Sequence, residues 1–272
     1  MIRDRYAGLL TIAEGCALHS TPVAYAAHGY AALAQQYNCR LLDLNDDETV
    51  TVTVYDRKAN ALKLRLARTI VESDCRISLS LPKTHDTVLV TLALKNMIMG
   101  ALVNRRAATC HPRSYWLDRL GQILHGHGNG WGSDKVAMHQ SYPIINLNLA
   151  QLAPLVRPHL SVLDGAIAMQ GAGPIDGEPV PWGVALAGTD PLAVDVLAAH
   201  LMGFRLDEVG YLAYCALTGL GVADLEAIGV VGNVPPAQVR RFFTPHPHHQ
   251  AQRQWHHPRA AQLIQRPFVL ST

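Results

Sequence analysis

The 272-residue chain has few thiols, few rings and little net charge. Its five cysteines, Cys16, Cys39, Cys75, Cys110 and Cys215, never form a C-x-x-C pair. A ferredoxin-type cluster needs closely spaced thiolates, so no self-contained iron–sulfur cluster is expected. An odd, dispersed set fits reduced thiols in a cytoplasmic protein. Aromatic residues make up 6% of the chain, which leaves no platform for stacking single-stranded bases. A net charge of +2 is too small to draw in nucleic acid. No uninterrupted apolar run reaches membrane-spanning length. Asp4 and Glu14 interrupt the start, so no secretory signal is expected. The chain also lacks a G-x-S-x-G elbow and any cysteine in a nucleophile's context, which gives nucleophilic catalysis little support.

What is present suits a compact fold: 49% of residues are hydrophobic and 16% charged. Strands are predicted at Leu9 to Ala13, Arg40 to Leu44, Thr49 to Tyr55, Ile77 to Leu81, Ser161 to Leu163, Val184 to Ala187 and Ile228 to Val231. Helices are predicted at Thr21 to Tyr37, Asp86 to Leu102, Tyr142 to Val156, from Pro191 to Gly203, and Asp207 to Leu217. Alternating strands and helices imply an α/β fold: a largely parallel sheet with helices on both faces. Glycine-rich loops punctuate it at His125 to Gly132 and Gly171 to Gly177. Residues 1–234 read as one domain, and the Pro/His-rich residues 235–272 as an irregular tail.

The run Leu81-Pro82-Lys83-Thr84-His85-Asp86, followed by Lys95-Asn96, sets titratable groups into an otherwise apolar stretch. Such groups are costly to bury without partners. Lys83 and His85 fall where a strand gives way to a helix, the place where open α/β sheets present a ligand crevice. Helix-start amides there favour an anion. If 86–102 is one helix, Thr84, Thr87, Thr91 and Lys95 share a face. His85 and Lys95 then stand roughly 15 Å apart along its axis, suited to opposite ends of an extended anion. The bland alternative is a solvated Lys83, a snorkelling Lys95 and threonines packed against a neighbouring helix.

Asp164 follows an apolar run and precedes Gly165, a position for a base or metal ligand and equally for a turn aspartate. Asp190 before Pro191 is explained as a helix cap and remains a candidate ligand contact. Asp195 lies on a helix so apolar that its carboxylate is expected to be partly buried, with a raised pKa unless paired. Gly171 and Gly173 could offer amides to an anion, or simply turn the chain. His139 joins His85, Asp164 and Asp195 as a candidate ligand for a divalent metal, at spacings that match no known metal motif.

Several motifs together resemble the domain-of-unknown-function family 362 of prokaryotic proteins. They are Glu14-Gly15, Gly29-Tyr30, Asp43, Pro82-Lys83-Thr84-His85, Lys95-Asn96, Gly100, His139, Asp164-Gly165, Gly171-Ala172-Gly173-Pro174, Gly177, Asp190-Pro191 and Asp195. The resemblance covers about residues 10 to 232. It implies no defined reaction, although some members of the family are fused to ferredoxin-like cluster domains. Members usually begin with a strand–helix unit carrying a Lys-Pro-Asn motif, which is expected to be missing here. Asn146 stands where the family's pattern implies an aspartate.

The expected function is binding of a small anionic ligand, with enzymatic use of the site left open. Lys83 and Lys95 would neutralise the ligand, and His85 would move a proton. Asp164 or Asp195 would act as base or hold a cation. Thr84, Asn96, Gly171, Gly173 and Asp190 would complete the binding surface. The alternative is an accessory redox protein working with a ferredoxin-like partner, or a site completed by a second copy of the chain. A third is a scaffold whose site lost its function with the missing unit.

Overall fold

A computed structural model describes residues 2–104 and 133–264. The loop expected at 125–132, Cys110 and the end of the predicted tail lie outside the described residues. The chain opens with a small parallel pair, β1 (Thr11–Glu14) and β2 (Arg40–Asp43), joined through α1 (Thr21–Ala27) and α2 (Tyr30–Tyr37). The single helix expected here breaks at Gly29, whose φ of +74° only glycine adopts without strain. Strand register places Glu14 beside Asp43, so two carboxylates end neighbouring strands.

An antiparallel hairpin follows, β3 (Thr49–Tyr55) with β4 (Ala61–Ala67), and then α3 (Arg68–Glu72). The sequence of β4, Ala-Leu-Lys-Leu-Arg-Leu-Ala, is rich in helix formers; pairing with β3 overrides that preference.

The main sheet has five strands: β5 (Ile77–Ser80), β6 (Lys83–His85), β7 (Leu89–Thr91), β8 (Leu160–Gln170) and β9 (Glu178–Gly188). It is mixed, which corrects the expectation of a largely parallel sheet. β5 and β6 run parallel to β8, but β6–β7 and β8–β9 are antiparallel hairpins. Short connections force that outcome, because neighbours in sequence joined by a tight turn must pair antiparallel. Helices on both faces are not seen at β5 either. Ser78 faces α4 (Ala93–Ala101) and donates to the Ala93 carbonyl, while Ile77, Leu79 and Leu81 on the opposite side are exposed.

The remaining helices are α5 (Asp134–Ala137), α6 (Tyr142–Val156), α7 (Pro191–Leu201), α8 (Gly210–Leu217), α9 (Pro236–Val239), α10 (His249–Gln252) and α11 (Ala260–Ile264), with a 3₁₀ turn at Leu206–Glu208. No helix among the described residues is long and apolar enough to cross a membrane. The strand expected at Ile228 to Val231 does not form; the segment is irregular and largely exposed. α4, α6, α7 and α8 share one core in which Leu92, Ile98, Ile144, Leu147, Leu192 and Tyr211 are sealed from solvent.

Residues 236–264 are irregular between short helices, yet they pack onto this body. Phe243, Trp255 and Leu263 are buried, and the Gln252 amide donates to the His85 carbonyl at 2.8 Å. Apolar side chains spaced through a Pro/His-rich sequence suffice to dock it, even though the composition cannot sustain a long helix.

Candidate functional site

The predicted helix over 86–102 is divided in the structure, and that division builds the site. Lys83, Thr84 and His85 form β6, the chain turns, and Leu89–Thr91 returns as β7 before α4 starts at Ala93. Leu89 holds the turn with φ +64° while fully buried, a strained backbone that costs about 1–3 kcal/mol. Because the hairpin reverses the chain, Lys95 comes back beside His85 rather than extending away from it. The proposed separation along one helix axis does not hold.

Lys95 sits in the first turn of α4 and is 4% exposed. Neither its ammonium nor that of half-buried Lys83 has a hydrogen bond or ion pair among the described residues. Burial, and next the charge of Lys83, bring the Lys95 pKa down to about 7. Burial also lowers Lys83, with Glu14 opposing. Thr91 is the register partner of Lys83 on β7, so their side chains share a face; its hydroxyl is buried with no partner. Asn96 is half buried, and its side-chain amide is likewise without a hydrogen bond.

His85 is buried and neutral. Burial, followed by the Lys95 charge, pushes its pKa down to about 3. Its Nδ1 accepts from the Thr87 amide at 3.1 Å, with the Thr87 hydroxyl at 2.9 Å, so the ring proton belongs on Nε2. Asp86 Oδ1 lies 3.0 Å from the same Nδ1, where a neutral ring offers no donor, and this buried oxygen has no hydrogen-bond partner. The His139 ring stacks near that of His85, with centroids 6.2 Å apart and planes at 18°. Its Nδ1 bonds to the Lys135 carbonyl at 2.7 Å and therefore carries the proton, leaving Nε2 as a free acceptor. His139 keeps exposed surface while surrounding atoms, and then Lys95, lower its pKa.

Lys135, the third lysine of this cluster, is buried like Lys95. Its ammonium donates to the Met99 and Gly100 carbonyls, the C-terminal end of α4. Burial lowers it to about 8, with Glu14 foremost among the nearby groups that oppose the fall. Gly15 locks the small parallel unit against this point. A Cβ there would stand 2.4 Å from the Gly100 oxygen and 3.2 Å from Lys135 Nζ. Gly15→Ala is therefore expected to cost about 1–3 kcal/mol, read as a lower midpoint in urea unfolding.

The cluster thus gathers Lys83, His85, Lys95 and His139, four residues singled out in the sequence, and adds Lys135, Asp86 and Glu14. Lysine usage carries the overlooked signal. Of 23 cationic residues only five are lysines, at 58, 63, 83, 95 and 135. Three of those five converge here.

Other candidates stand elsewhere. Asp164 is exposed on β8 opposite Ala185, accepting from the Ala166 amide. Asp195 is fully buried on α7, where its two oxygens accept the Ala93 and Leu94 amides at 2.9 Å each. It caps α4 from a different helix, since Leu92 provides no side-chain cap. Burial raises its pKa to about 7 against those two bonds. Asp190 caps α7 through the Leu192 and Ala193 amides and also accepts from Val222. Thr84 donates to the Gly171 carbonyl. The Gly171 amide is bonded to the Thr244 carbonyl and that of Gly173 to the Gly171 carbonyl. A Cβ on Gly173 would meet the Thr84 oxygen at 2.2 Å, so this loop is pressed onto β6. Asn146 accepts the Tyr211 amide at 2.7 Å and lies in the core.

Among the described residues, no three His, Cys, Asp or Glu side chains are placed to share a metal ion. The lysines around His139 make a divalent cation electrostatically unwelcome there.

The sequence model of the family described as "Domain of unknown function (DUF362)" matches residues 1–200. A "Thylakoid-associated protein" of Synechocystis sp. is 25% identical over 160 residues, a stretch covering 58% of this chain and 41% of that protein. No solved structure matches.

Proposed function

Because the chain belongs to the DUF362 family, whose description specifies no reaction, we propose its function from the site: it binds a small anion between Lys83 and Lys95. What supports this reading is a buried Lys95 beside a half-buried Lys83, neither with a hydrogen bond or ion pair among the described residues, and with only the more distant charges of Asp86 and Glu14 to offset them. An isolated buried charge is expensive, and a second like charge beside it more so. A bound anion removes both penalties. The partnerless Thr91 hydroxyl and the His85 Nε2–H add donors, and His139 Nε2 adds an acceptor for a ligand hydroxyl. Such a set fits a hydrogen phosphate or a small carboxylate, with His85 and His139 placed for proton movement. Asp195 serves this site indirectly, by fixing the start of α4. Asp164 remains an uncommitted surface carboxylate in this proposal.

Binding should depend on pH in a defined sense. The empty site holds Lys95 near pH 7, whereas an anion requires it protonated. Affinity is expected to fall as pH rises through about 7, and binding near that pH to take up a proton. Calorimetric titration with inorganic phosphate in buffers of different ionisation enthalpy measures the uptake. Thermal-shift titration with phosphate and oxalate tests the binding itself. No shift with either anion would remove the reading.

A second reading is an accessory protein for a ferredoxin-like partner. The exposed apolar residues Ile77, Leu79, Leu81 and Ile167 on the main sheet favour it. Leu79→Lys would then abolish co-sedimentation with a reduced ferredoxin and leave phosphate binding intact. For either reading we place the protein in the cytoplasm, because Cys16, Cys39, Cys75 and Cys215 are free thiols. The Synechocystis relative is described as thylakoid-associated.

A further inference from the structure

We propose that Lys95 is an amine nucleophile that captures a small oxo-carboxylate as a Schiff base, with Lys83 holding the carboxylate. This deepens the anion-binding reading and rests on it. Four observations support it. Lys95 is buried, it has no acceptor among the described residues, a second cation adjoins it, and it lies near two neutral imidazoles in opposite tautomers. A lysine desolvated beside another cation is the arrangement that frees an amine lone pair at neutral pH. The titratable groups around Lys95 are Lys83, Lys135, Asp86, His85 and His139. The cations among them favour the neutral amine, and Asp86 opposes it.

The chemistry balances without an oxidant. The Nζ lone pair attacks the carbonyl carbon, forming a C–N bond, and the carbonyl π pair moves to oxygen. His85 Nε2–H donates a hydrogen bond to that oxygen as it becomes a hydroxyl. His139 Nε2 takes a proton from the attacking nitrogen and returns it to the departing hydroxyl, which leaves as water. The proton that turns the oxyanion into that hydroxyl comes from solvent, so the departing water carries one proton from solvent and one from the amine, and the iminium keeps the other amine proton. An aldehyde or ketone bearing a carboxylate uses the two lysines differently, one as nucleophile and one as carboxylate partner, whereas a phosphate meets both only as an anion.

The test uses the full chain, glyoxylate as probe and borohydride to fix the imine, with peptide mass spectrometry as readout. The chain's five lysines make every competing site identifiable. Lys58 and Lys63 are exposed and serve as internal controls. Lys95 is expected to label at least about tenfold faster than either near pH 7.5. Inorganic phosphate should suppress that labelling. Lys83→Met should slow capture of glyoxylate more than capture of acetaldehyde, which has no carboxylate and loses only the help that the Lys83 charge gives the neutral amine. Equal labelling of Lys58, Lys63 and Lys95 overturns the proposal. So does the absence of a Lys95 adduct in protein whose melting temperature phosphate still raises, and that result leaves the anion site standing. Loss of both the phosphate shift and the adduct removes the two together. An equal effect of Lys83→Met on both probes overturns the substrate class.

Discussion

Lys95→Met should raise the stability of the empty protein and abolish anion binding in the same step. The two effects have one cause. The folded state holds the Lys95 pKa near 7 against an ordinary 10.5, so below pH 7 folding must carry a charge into the interior. The shift corresponds to roughly 3–5 kcal/mol of lost stability at acidic pH. The sign follows from proton counts. Between about 7 and 10.5 the unfolded chain binds the proton that the folded chain releases, so this penalty fades as pH rises across that window. Methionine keeps the length and apolar stem without the charge. The gain should therefore be largest near pH 6 and vanish by about pH 10.5. Denaturant unfolding at several pH values measures the first effect, and phosphate titration of the same variant the second. A methionine variant less stable than the parent at pH 6 would mean that the ammonium is already compensated. The anion-binding reading would then lose its basis.

Asp195→Ala should act in the opposite direction. Among the described residues its carboxylate is the acceptor of the Ala93 and Leu94 amides, and both residues are buried. Removing it orphans two donors at the start of α4 and opens a cavity in the apolar surroundings of α7. A loss of about 3–5 kcal/mol is expected. Asp195→Asn keeps the volume and one carbonyl oxygen, so a smaller loss of about 1–3 kcal/mol should follow. The shift of this carboxyl also makes itself felt with pH. Its folded value of about 7 exceeds the ordinary 3.8, so its stabilising contribution is complete below about pH 4 and is lost as pH rises through 7. Phosphate affinity of the asparagine variant, measured where it remains folded, reports how far Lys95 depends on this anchor. An alanine variant as stable as the parent would show that α4 starts without Asp195.

The sequence made Lys83, His85 and Lys95 visible because they interrupt an apolar context, and His139 visible as a candidate metal ligand. It also pointed to partial burial of Asp195 on so hydrophobic a helix, where the structure buries it completely. What it could not show was the turn after His85. Thr84, Thr87, Thr91 and Lys95 repeat at helical intervals by chance, while Thr84 and Thr91 belong to paired strands. Strand pairing is a long-range choice that a local period does not record. β8 and β9 were likewise seen only in their most apolar cores, Ser161 to Leu163 and Val184 to Ala187, because Gly165, Gly183 and Pro181 disguise eleven-residue strands as turns. Reading them as short separate strands led directly to the parallel sheet that the structure corrects. Lys135 was missed for another reason: a lysine between Asp134 and Val136 looks like any surface residue until its ammonium is found on the Met99 and Gly100 carbonyls.

The grip on α4 has a consequence for biosynthesis. The helix carrying Lys95 receives its first acceptors from a residue translated 102 positions after Ala93, and the His85 carbonyl meets its donor 167 positions later still in the chain. A nascent polypeptide that has emerged only as far as β8 already contains every basic group of the cluster but nothing to secure α4's leading amides. The anion site proposed between Lys83 and Lys95 is therefore a late product of synthesis. Ribosome-bound chains ending before Asp195 should fail to recognise phosphate although every residue proposed to touch it has been made.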